Sequence, residues 1–404
     1  SKSRPTMGSL VADRLRGIEA SATLALAAKA KALRQAGKPV LDFTAGEPDF
    51  PTPQPIKDAA IRAIESNQTR YTPTAGISEL RGAIANDLHR RLGTKYAPAE
   101  VMVSCGAKHV LYNALQAICE PGDEVIIFAP YWVSYEPLVR LADAIPKIVP
   151  TSEEEGFQPD PAAIESAIGS NTKAIILNSP SNPTGAVIEE QRLKDIVSVI
   201  KRKSQGDKLI VISDEIYDQI VFEPARHSSI ATIGQQDLWT QVILVNGVSK
   251  SYSMTGWRIG YAASGAKNII DAMTTLQSHS TSNPTSVSQY AALEALTNTQ
   301  LPAQVQQMSD EFKRRRDRLV DGLNHLPGLS CVKPQGAFYA WCNIGKLRQP
   351  AAAIAARWLE DALVAVVPGE GFGSKDHVRF SFATAMPVID EGLASLKGWL
   401  ATHS

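Results

Sequence analysis

With 404 residues, the chain is long enough to bury a large core and to form two domains. Its 41 basic and 41 acidic residues cancel, so bulk charge indicates neither a nucleic-acid partner nor a membrane partner, and no apolar stretch is long enough to span a bilayer. The four cysteines form no CxxC pair and no metal-ligand spacing. This pattern predicts no metal site, no disulfide framework and a reducing, cytoplasmic location.

The N-terminal part of the chain alternates between helical patterns and proline-rich loops. Residues 1–9 are expected to be a flexible N-terminus and take no part in the fold argument. Residues 11–35 are rich in alanine and leucine with polar residues at helical intervals, which predicts one helix that ends before Pro39. The elements expected next are a strand at 40–43, an ordered loop at 44–53, a helix at 55–66, a loop at 71–76 and a helix at 77–92.

The middle of the chain alternates apolar runs of strand length with helical stretches. This alternation predicts an α/β fold with a mostly parallel sheet covered by helices on both faces. The pattern changes after Pro284 to long helices at 286–297 and 302–323, followed by a mixed α+β segment. We therefore expect a large domain at 55–290 and a smaller, discontinuous α+β domain at 10–54 and 291–404. The expected strands are 101–103, 124–128, 145–149, 174–177, 209–212 and 242–245, and later 337–341, 364–367 and 377–381.

Lys250 is the centre of the functional prediction. It follows the apolar run 242–245 within a stretch of small residues, and Arg258 lies eight positions further on. A desolvated lysine is a good nucleophile toward carbonyl carbon, because burial disfavours its charged form. The planar fork of arginine suits phosphate. Together they suggest an aldehyde-bearing phosphate ester held as a Schiff base, which is pyridoxal phosphate; the alternative is a surface lysine after a strand.

Two other stretches have the features of anion sites. Residues 104–108 join a predicted strand to a helix, and backbone N–H groups at a helix N-terminus bind anions, although an ordinary turn explains this pattern equally well. Residues 377–381 place Arg379 inside an apolar strand. A buried arginine needs a partner, and its fork fits a carboxylate; a structural ion pair is the alternative.

Three more stretches follow predicted strands. Asp214 ends one of them, at the edge where open α/β sheets bind ligands, and a carboxylate beside a pyridine nitrogen would keep that ring protonated. Tyr217, three residues on, is placed to reach the ring oxygen. By themselves these two residues also fit a helix N-cap and a packed tyrosine. Trp132 and the turn at 178–185 equally fit a core residue and an ordinary loop.

Taken together, these motifs resemble the fold-type I pyridoxal-phosphate aminotransferases of the aspartate aminotransferase superfamily. The string from Val245 to Tyr261 resembles their Schiff-base segment, and 178–185 fills every fixed position of the family pattern N-x-P-x-N-P-T-G. The resemblance extends from about residue 15 to 399. The strings at 44–50 and 129–135 are most similar to the bacterial branch, some members of which also transaminate prephenate.

The resemblance implies a role for each matching residue. Lys250 would be catalytic and would carry the cofactor. Cofactor contacts are implied for Gly106, Ala107, Lys108, Trp132, Asn182, Asp214, Tyr217, Ser249 and Arg258, and, from the neighbouring subunit of a homodimer, for Tyr71. Substrate contacts are implied for Arg379 at the α-carboxylate, and for Gly46, Trp132, Asn182 and Lys108.

The resemblance also implies the substrates. We expect aspartate and glutamate as donors and 2-oxoglutarate and oxaloacetate as acceptors, with Lys108 at the distal carboxylate. Prephenate ranks second, because a carboxylate at Glu19 would repel a second acidic group. One alternative is a C–S lyase on the same fold. Another is a cofactor-sensing regulator, which would need a helix-turn-helix domain for which the matching region leaves no room.

Overall fold

The computed structural model describes residues 10–18, 22–204 and 208–403. In chain order the strands are Leu41–Asp42 (β1), Val101–Ser104 (β2), Glu124–Ala129 (β3), Ile145–Pro150 (β4), Thr172–Asn178 (β5), Ile210–Asp214 (β6), Val242–Gly247 (β7), Gly260–Ala263 (β8), Ser330–Cys331 (β9), Tyr339–Asn343 (β10), Val364–Ala365 (β11), Val367–Pro368 (β12) and His377–Ser381 (β13).

The α-helices of these ranges lie between and after the strands. They are Ala22–Gln35 (α1), Gln54–Glu65 (α2), Ser78–Leu92 (α3), Ala107–Ile118 (α4), Tyr135–Leu141 (α5), Pro161–Ala167 (α6), Glu190–Lys203 (α7), Ile230–Ile233 (α8), Lys267–Ser278 (α9), Ser286–Thr297 (α10), Leu301–Asn324 (α11), Ala351–Ala362 (α12) and Met386–Thr402 (α13). None of them is long and apolar enough to cross a lipid bilayer.

A seven-stranded sheet forms the larger of the two main cores, with strand order β2-β8-β7-β6-β5-β3-β4. Strand β8 is antiparallel to both β2 and β7, and the other neighbouring pairs of this sheet are parallel. The consecutive residues Ile175 and Ile176 of β5 are both buried but belong to different apolar clusters on the two faces. Helices thus cover both faces of the sheet, which explains why its strands are continuous apolar runs in the sequence.

A second, antiparallel sheet has the order β12-β13-β10-β9, and helices α11, α12 and α13 pack against it in a separate apolar cluster. Strand β1 pairs in parallel with β11, with Leu41 opposite Val364. An early segment of the chain therefore joins the C-terminal part, and the loop that follows β1 leads back toward the large sheet.

Several expected element boundaries were wrong. The single helix expected at 11–35 is a 3-10 turn, Asp13–Leu15, and then α1, with Gly17 at a φ of +79° after the turn. The strand expected at 337–341 begins only at Tyr339, because Ala337 has a φ of +59°. The strand expected at 364–367 is two short strands that belong to different sheets. The sequence did not predict β8, whose Gly-Tyr-Ala-Ala composition lacks β-branched residues.

The sheet positions the site through its carboxyl edge. The parallel strands β3, β5, β6 and β7 end side by side at this edge, and Asn178 of β5 pairs in register with Asp214 of β6. Side chains that follow these strands therefore converge in one place, as is usual for ligand sites in open α/β sheets.

Candidate active site

A cavity of about 430 Å³ opens at this carboxyl edge, between the large sheet and the second sheet. Both sheets and the loop after β1 contribute residues to its wall. Most of the site residues predicted from the sequence line it: Gly46, Ala107, Lys108, Trp132, Asn182, Asp214, Tyr217, Ser249, Lys250, Arg258 and Arg379.

Lys250 lies in the turn after β7 and points its amine into the cavity. Its Nζ donates a hydrogen bond to the carbonyl oxygen of Gly46 at 2.6 Å and lies 5.7 Å from the ring centroid of Tyr217. Burial, and then the positive charges of Arg379 and Arg258, lower the pKa of Lys250 from 10.5 to about 8. A large fraction of the amine is therefore neutral and nucleophilic slightly above neutral pH.

Asp214 ends β6 and is only 4 % exposed. The hydroxyl of Tyr135 donates to its Oδ2 at 2.7 Å, and the backbone N–H of Ile216 donates to Oδ1 at 3.3 Å. Burial raises the pKa of Asp214 to about 6, although both hydrogen bonds act in the opposite direction. The carboxyl is therefore mostly ionised at neutral pH, and a cationic group placed in the cavity would favour that form further.

One end of the cavity is built around the start of α4. Gly106 precedes this helix at a φ of +89°, and a Cβ atom there would lie 2.2 Å from Nη2 of Arg258. A side chain at this position would displace the guanidinium, and the positive φ disfavours any residue other than glycine. Arg258 is exposed and donates to the carbonyl oxygens of Thr255 and Cys105 at 3.0 and 3.4 Å.

This end concentrates positive charge. Burial and the charge of Arg258 lower the pKa of Lys108, whose Nζ lies 5.0 Å from the ring centroid of Trp132. Among the described residues, no acidic side chain pairs with Lys108 or Arg258. Two cations beside a helix N-terminus form a site suited to an anion such as phosphate.

The opposite end holds Arg379, on β13. Its guanidinium is buried, donates to Oδ1 of Asn182 at 3.1 Å and to the carbonyl oxygen of Thr44 at 3.2 Å, and lies 4.2 Å from the ring centroid of Tyr339. Its Nε has no hydrogen-bond partner among the described residues. A buried cation with only neutral partners fits a carboxylate-bearing ligand.

Two of the residues named from the sequence stand apart from this cavity, and a third lies outside the described residues. Gly106 does not line it but lies against Arg258. Tyr71 is 90 % exposed and lies outside the cavity wall. Glu19, which carried the argument about prephenate, lies outside the described residues.

The sequence reasoning missed two tyrosines of the site. Tyr135 binds Asp214, and the hydroxyls of Tyr339 and Tyr217 lie 2.7 Å apart. Both missed residues are fully buried, and nothing in their local sequence distinguishes them from core tyrosines. One general rule could have pointed to these two tyrosines: the hydroxyl of a buried tyrosine needs a hydrogen-bond partner.

Comparisons with known proteins place the chain in a family. The family described as "Aminotransferase class I and II" matches residues 38–396. The aspartate aminotransferase of Geobacillus stearothermophilus is 47% identical over 403 residues, which cover 98% of this chain and 100% of that protein. The aspartate/prephenate aminotransferase of Cereibacter sphaeroides is 44% identical over 401 residues, which cover 97% of this chain and 98% of that protein.

A solved structure agrees with these sequence matches. The aspartate aminotransferase of Thermus thermophilus with maleate superimposes with a TM-score of 0.91 at 41% identity, over 96% of this chain and 99% of that one. The family, the fold class and the cofactor expected from the sequence are thereby confirmed. The chain belongs to the class I and II aminotransferases and is a pyridoxal-phosphate-dependent enzyme of fold type I.

Proposed function

We propose that this aminotransferase moves the amino group between an acidic amino acid, aspartate or glutamate, and a 2-oxo acid, 2-oxoglutarate or oxaloacetate. The observation that carries the proposal is the set of cations in one cavity that have no acidic partner among the described residues. Arg379 binds the α-carboxylate of the substrate, Arg258 binds the cofactor phosphate, and Lys108 binds a further carboxylate. A neutral amino acid would leave Lys108 without a partner.

The residues around the cavity fit the cofactor. The close approach of Gly106 and Arg258 at the start of α4 leaves cations and free backbone N–H groups where a phosphate is needed. Ionised Asp214 suits a protonated ring nitrogen, and the flat face of Trp132 suits a pyridine ring. The residues that would hold pyridoxal phosphate are Gly106, Ala107, Lys108, Trp132, Asn182, Asp214, Tyr217, Ser249, Lys250 and Arg258.

The bound cofactor supplies an aldehyde that condenses with amines and an electron-withdrawing ring that stabilises negative charge at the substrate α-carbon. The chain supplies binding and proton transfer. Arg379 and the backbone at Gly46 orient the substrate by its α-carboxylate. Nζ of Lys250 then removes the α-proton and returns a proton to the reacting group, which its pKa of about 8 allows near neutral pH. Two half-reactions at one site predict ping-pong kinetics.

Prephenate is a second candidate acceptor. The relative from Cereibacter sphaeroides is named an aspartate/prephenate aminotransferase, and so is one from Thermus thermophilus at 44% identity. Prephenate carries two carboxylates, as aspartate does, so the same cations suit it. We rank it second because a carboxylate at Glu19 would repel a second acidic group.

We also propose a cytoplasmic homodimer with shared active sites. The four cysteine thiols are all unpaired, as is usual in a reducing compartment. Tyr71 is 90 % exposed. The family resemblance implies that Tyr71 contacts the cofactor phosphate of the neighbouring subunit, and a side chain exposed in one subunit is free to make such a contact. The proposed division is a large domain at 55–290 and a small one at 10–54 and 291–404.

Steady-state rates with a panel of amino donors test the proposed function. Aspartate, alanine and phenylalanine would each be assayed with 2-oxoglutarate, and glutamate with oxaloacetate. We expect parallel double-reciprocal plots and a kcat/KM for aspartate at least about tenfold above that for alanine, the ratio that one charge-assisted contact provides. A neutral donor that equals aspartate contradicts the proposal. Release of pyruvate and ammonia from a cysteine conjugate, without transamination, would instead indicate a C–S lyase.

A further inference from the structure

Two carboxylates stand next to each other at the end of β6. Asp214 is 4 % exposed and faces the cavity, whereas Glu215 is 1 % exposed and takes no part in the cavity wall. Burial of a charged carboxylate is costly unless it is paired, and a second one in the adjacent position adds repulsion. The proposed chemistry needs only Asp214, so the partners of Glu215 require an explanation.

Three side chains contact the carboxyl group of Glu215. Ser213 and Ser229 donate their hydroxyls to Oε2, each at 2.7 Å, and Nε2 of His227 lies 2.6 Å from Oε1. The hydroxyl oxygen of Ser229 already accepts the backbone N–H of Ala231, so its proton is free for Glu215. With both hydroxyls donating to Oε2, Oε1 is left for the ring of His227.

His227 is the residue of this cluster that carries the balancing positive charge when it is protonated. Burial lowers its pKa, but the charge of Glu215, their hydrogen bond and the charge of Asp218 together raise the pKa of His227 above its ordinary value, against the opposing charge of Arg91. Asp218 has its own cation, since Nη1 of Arg91 lies 2.6 Å from its Oδ2. The charge of His227 is therefore available to Glu215.

We propose that His227 is a positioning residue of this enzyme, which cancels the charge of Glu215 and so keeps Asp214 ionised beside the ring nitrogen of the cofactor. The proposal rests on the role proposed above for Asp214. The charge of Glu215 raises the pKa of Asp214, and the hydrogen bond from Tyr135 and the charge of Lys250 lower it. Tyr217 also faces Asp214, and Tyr96 faces Glu215.

The test replaces the two charges singly and together. In His227→Gln the charge of Glu215 is no longer cancelled, so we expect the acid limb of kcat/KM for aspartate to move up by about one pH unit. The dissociation constant of pyridoxal phosphate, measured by tryptophan fluorescence, should rise about fivefold at pH 6 and stay within about twofold at pH 8.5. In Glu215→Gln with His227→Gln, both quantities should return to the parental values.

Controls separate this electrostatic role from a structural one. Ser229→Ala removes a hydrogen bond from Glu215 without a change of charge, so its acid limb should stay at the parental pH. An unmoved limb in His227→Gln, or no restoration in the double variant, overturns the proposal. If Asp214→Asn turns over like the parent, both the role of Asp214 and this proposal are wrong. If Asp214→Asn loses turnover but the acid limb of kcat/KM stays in place in His227→Gln, only this proposal is wrong.

A measurement on the parent holoenzyme decides the question even if His227→Gln does not fold. The ring nitrogens of His227 can be observed by NMR in ¹⁵N-histidine-labelled protein and assigned by elimination, through single substitutions of the other six histidines. A doubly protonated ring from pH 6 to pH 8 supports the proposal. A neutral ring over that range overturns it, because a neutral imidazole cancels no charge.

Discussion

The two arginines of the cavity are held in opposite ways. Arg258 is exposed, and its partners are the carbonyl of Thr255, three residues earlier, and that of Cys105 in the turn before α4. Arg379 is buried, and its partners Asn182 and Thr44 lie 197 and 335 residues away in the chain. The proposed phosphate end is thus mainly a product of two local turns, whereas the proposed carboxylate end exists only when both sheets and the loop after β1 come together.

This difference indicates how each end can respond to a ligand. The start of α4 and the turn after β7 belong to one sheet, so the anion site between them is preformed. Arg379 belongs to the second sheet, and Asn182 follows β5 of the first. A carboxylate bound there would contact both parts of the molecule and would stabilise their approach, which couples substrate binding to the arrangement of the sheets.

The largest effect should come from Lys250, which lies between the two ends. Lys250→Ala removes both the nucleophile and the proton carrier, so we expect turnover to fall by about 10⁴-fold or more while the cofactor still binds. Lys267→Ala is a matched control, because Lys267 is an exposed lysine on α9 paired with Asp271. Borohydride reduction and peptide mapping should place the pyridoxyl group on Lys250; any other lysine contradicts the assignment.

Asp214→Asn should have the next largest effect. It keeps the shape of the side chain and removes the charge, and we expect turnover to fall roughly a thousandfold, about 4 kcal/mol of transition-state stabilisation. Parental turnover in this variant would contradict the role of the carboxylate.

The same substitution should stabilise the cofactor-free chain. Burial raises the pKa of Asp214 from 3.8 to about 6, so the folded state favours the protonated form and loses stability as the pH rises from about 4 to above 6. Asn cannot ionise. At pH 8 the free energy of unfolding of Asp214→Asn should exceed that of the parent by on the order of 2–3 kcal/mol, and the difference should disappear below about pH 4. Urea titrations at both pH values measure this.

Arginine-to-lysine substitutions test whether the two ends of the cavity bind different ligands. Arg379→Lys cannot form a two-pronged contact with a carboxylate, so kcat/KM for aspartate should fall by about a hundredfold, with little change in the dissociation constant of the cofactor. Arg258→Lys should weaken cofactor binding instead, and kcat/KM at saturating cofactor should change less. If both variants weaken the same ligand, the two ends do not have separate functions.

The same distinction between local and long-range contacts decides which parts of this site the sequence could predict. Lys250 and Asp214 lie after apolar runs, and Asn182 lies within a fixed motif. Their place at the sheet edge was therefore predictable. The hydroxyl contacts of Tyr135 and Tyr339 depend on which helices and strands pack together. The local sequence does not predict this packing. The split of 364–367 between two sheets was hidden for the same reason, since pairing partners and not propensity decide where such short strands end.

The last prediction concerns substrate choice at Lys108. Its amine lies in the cavity near Trp132, at the start of a helix whose dipole disfavours a cation, so a ligand carboxylate is its natural partner. Lys108→Ala should lower kcat/KM for aspartate by about 10- to 150-fold, or roughly 1.5–3 kcal/mol, and leave that for alanine within about twofold. Equal losses for both donors would show that Lys108 serves the cofactor phosphate and not the distal carboxylate. Because Lys108 and Arg258 are neighbours, Lys108→Arg is the matched control: it keeps the charge at this end, so the preference for aspartate should largely persist.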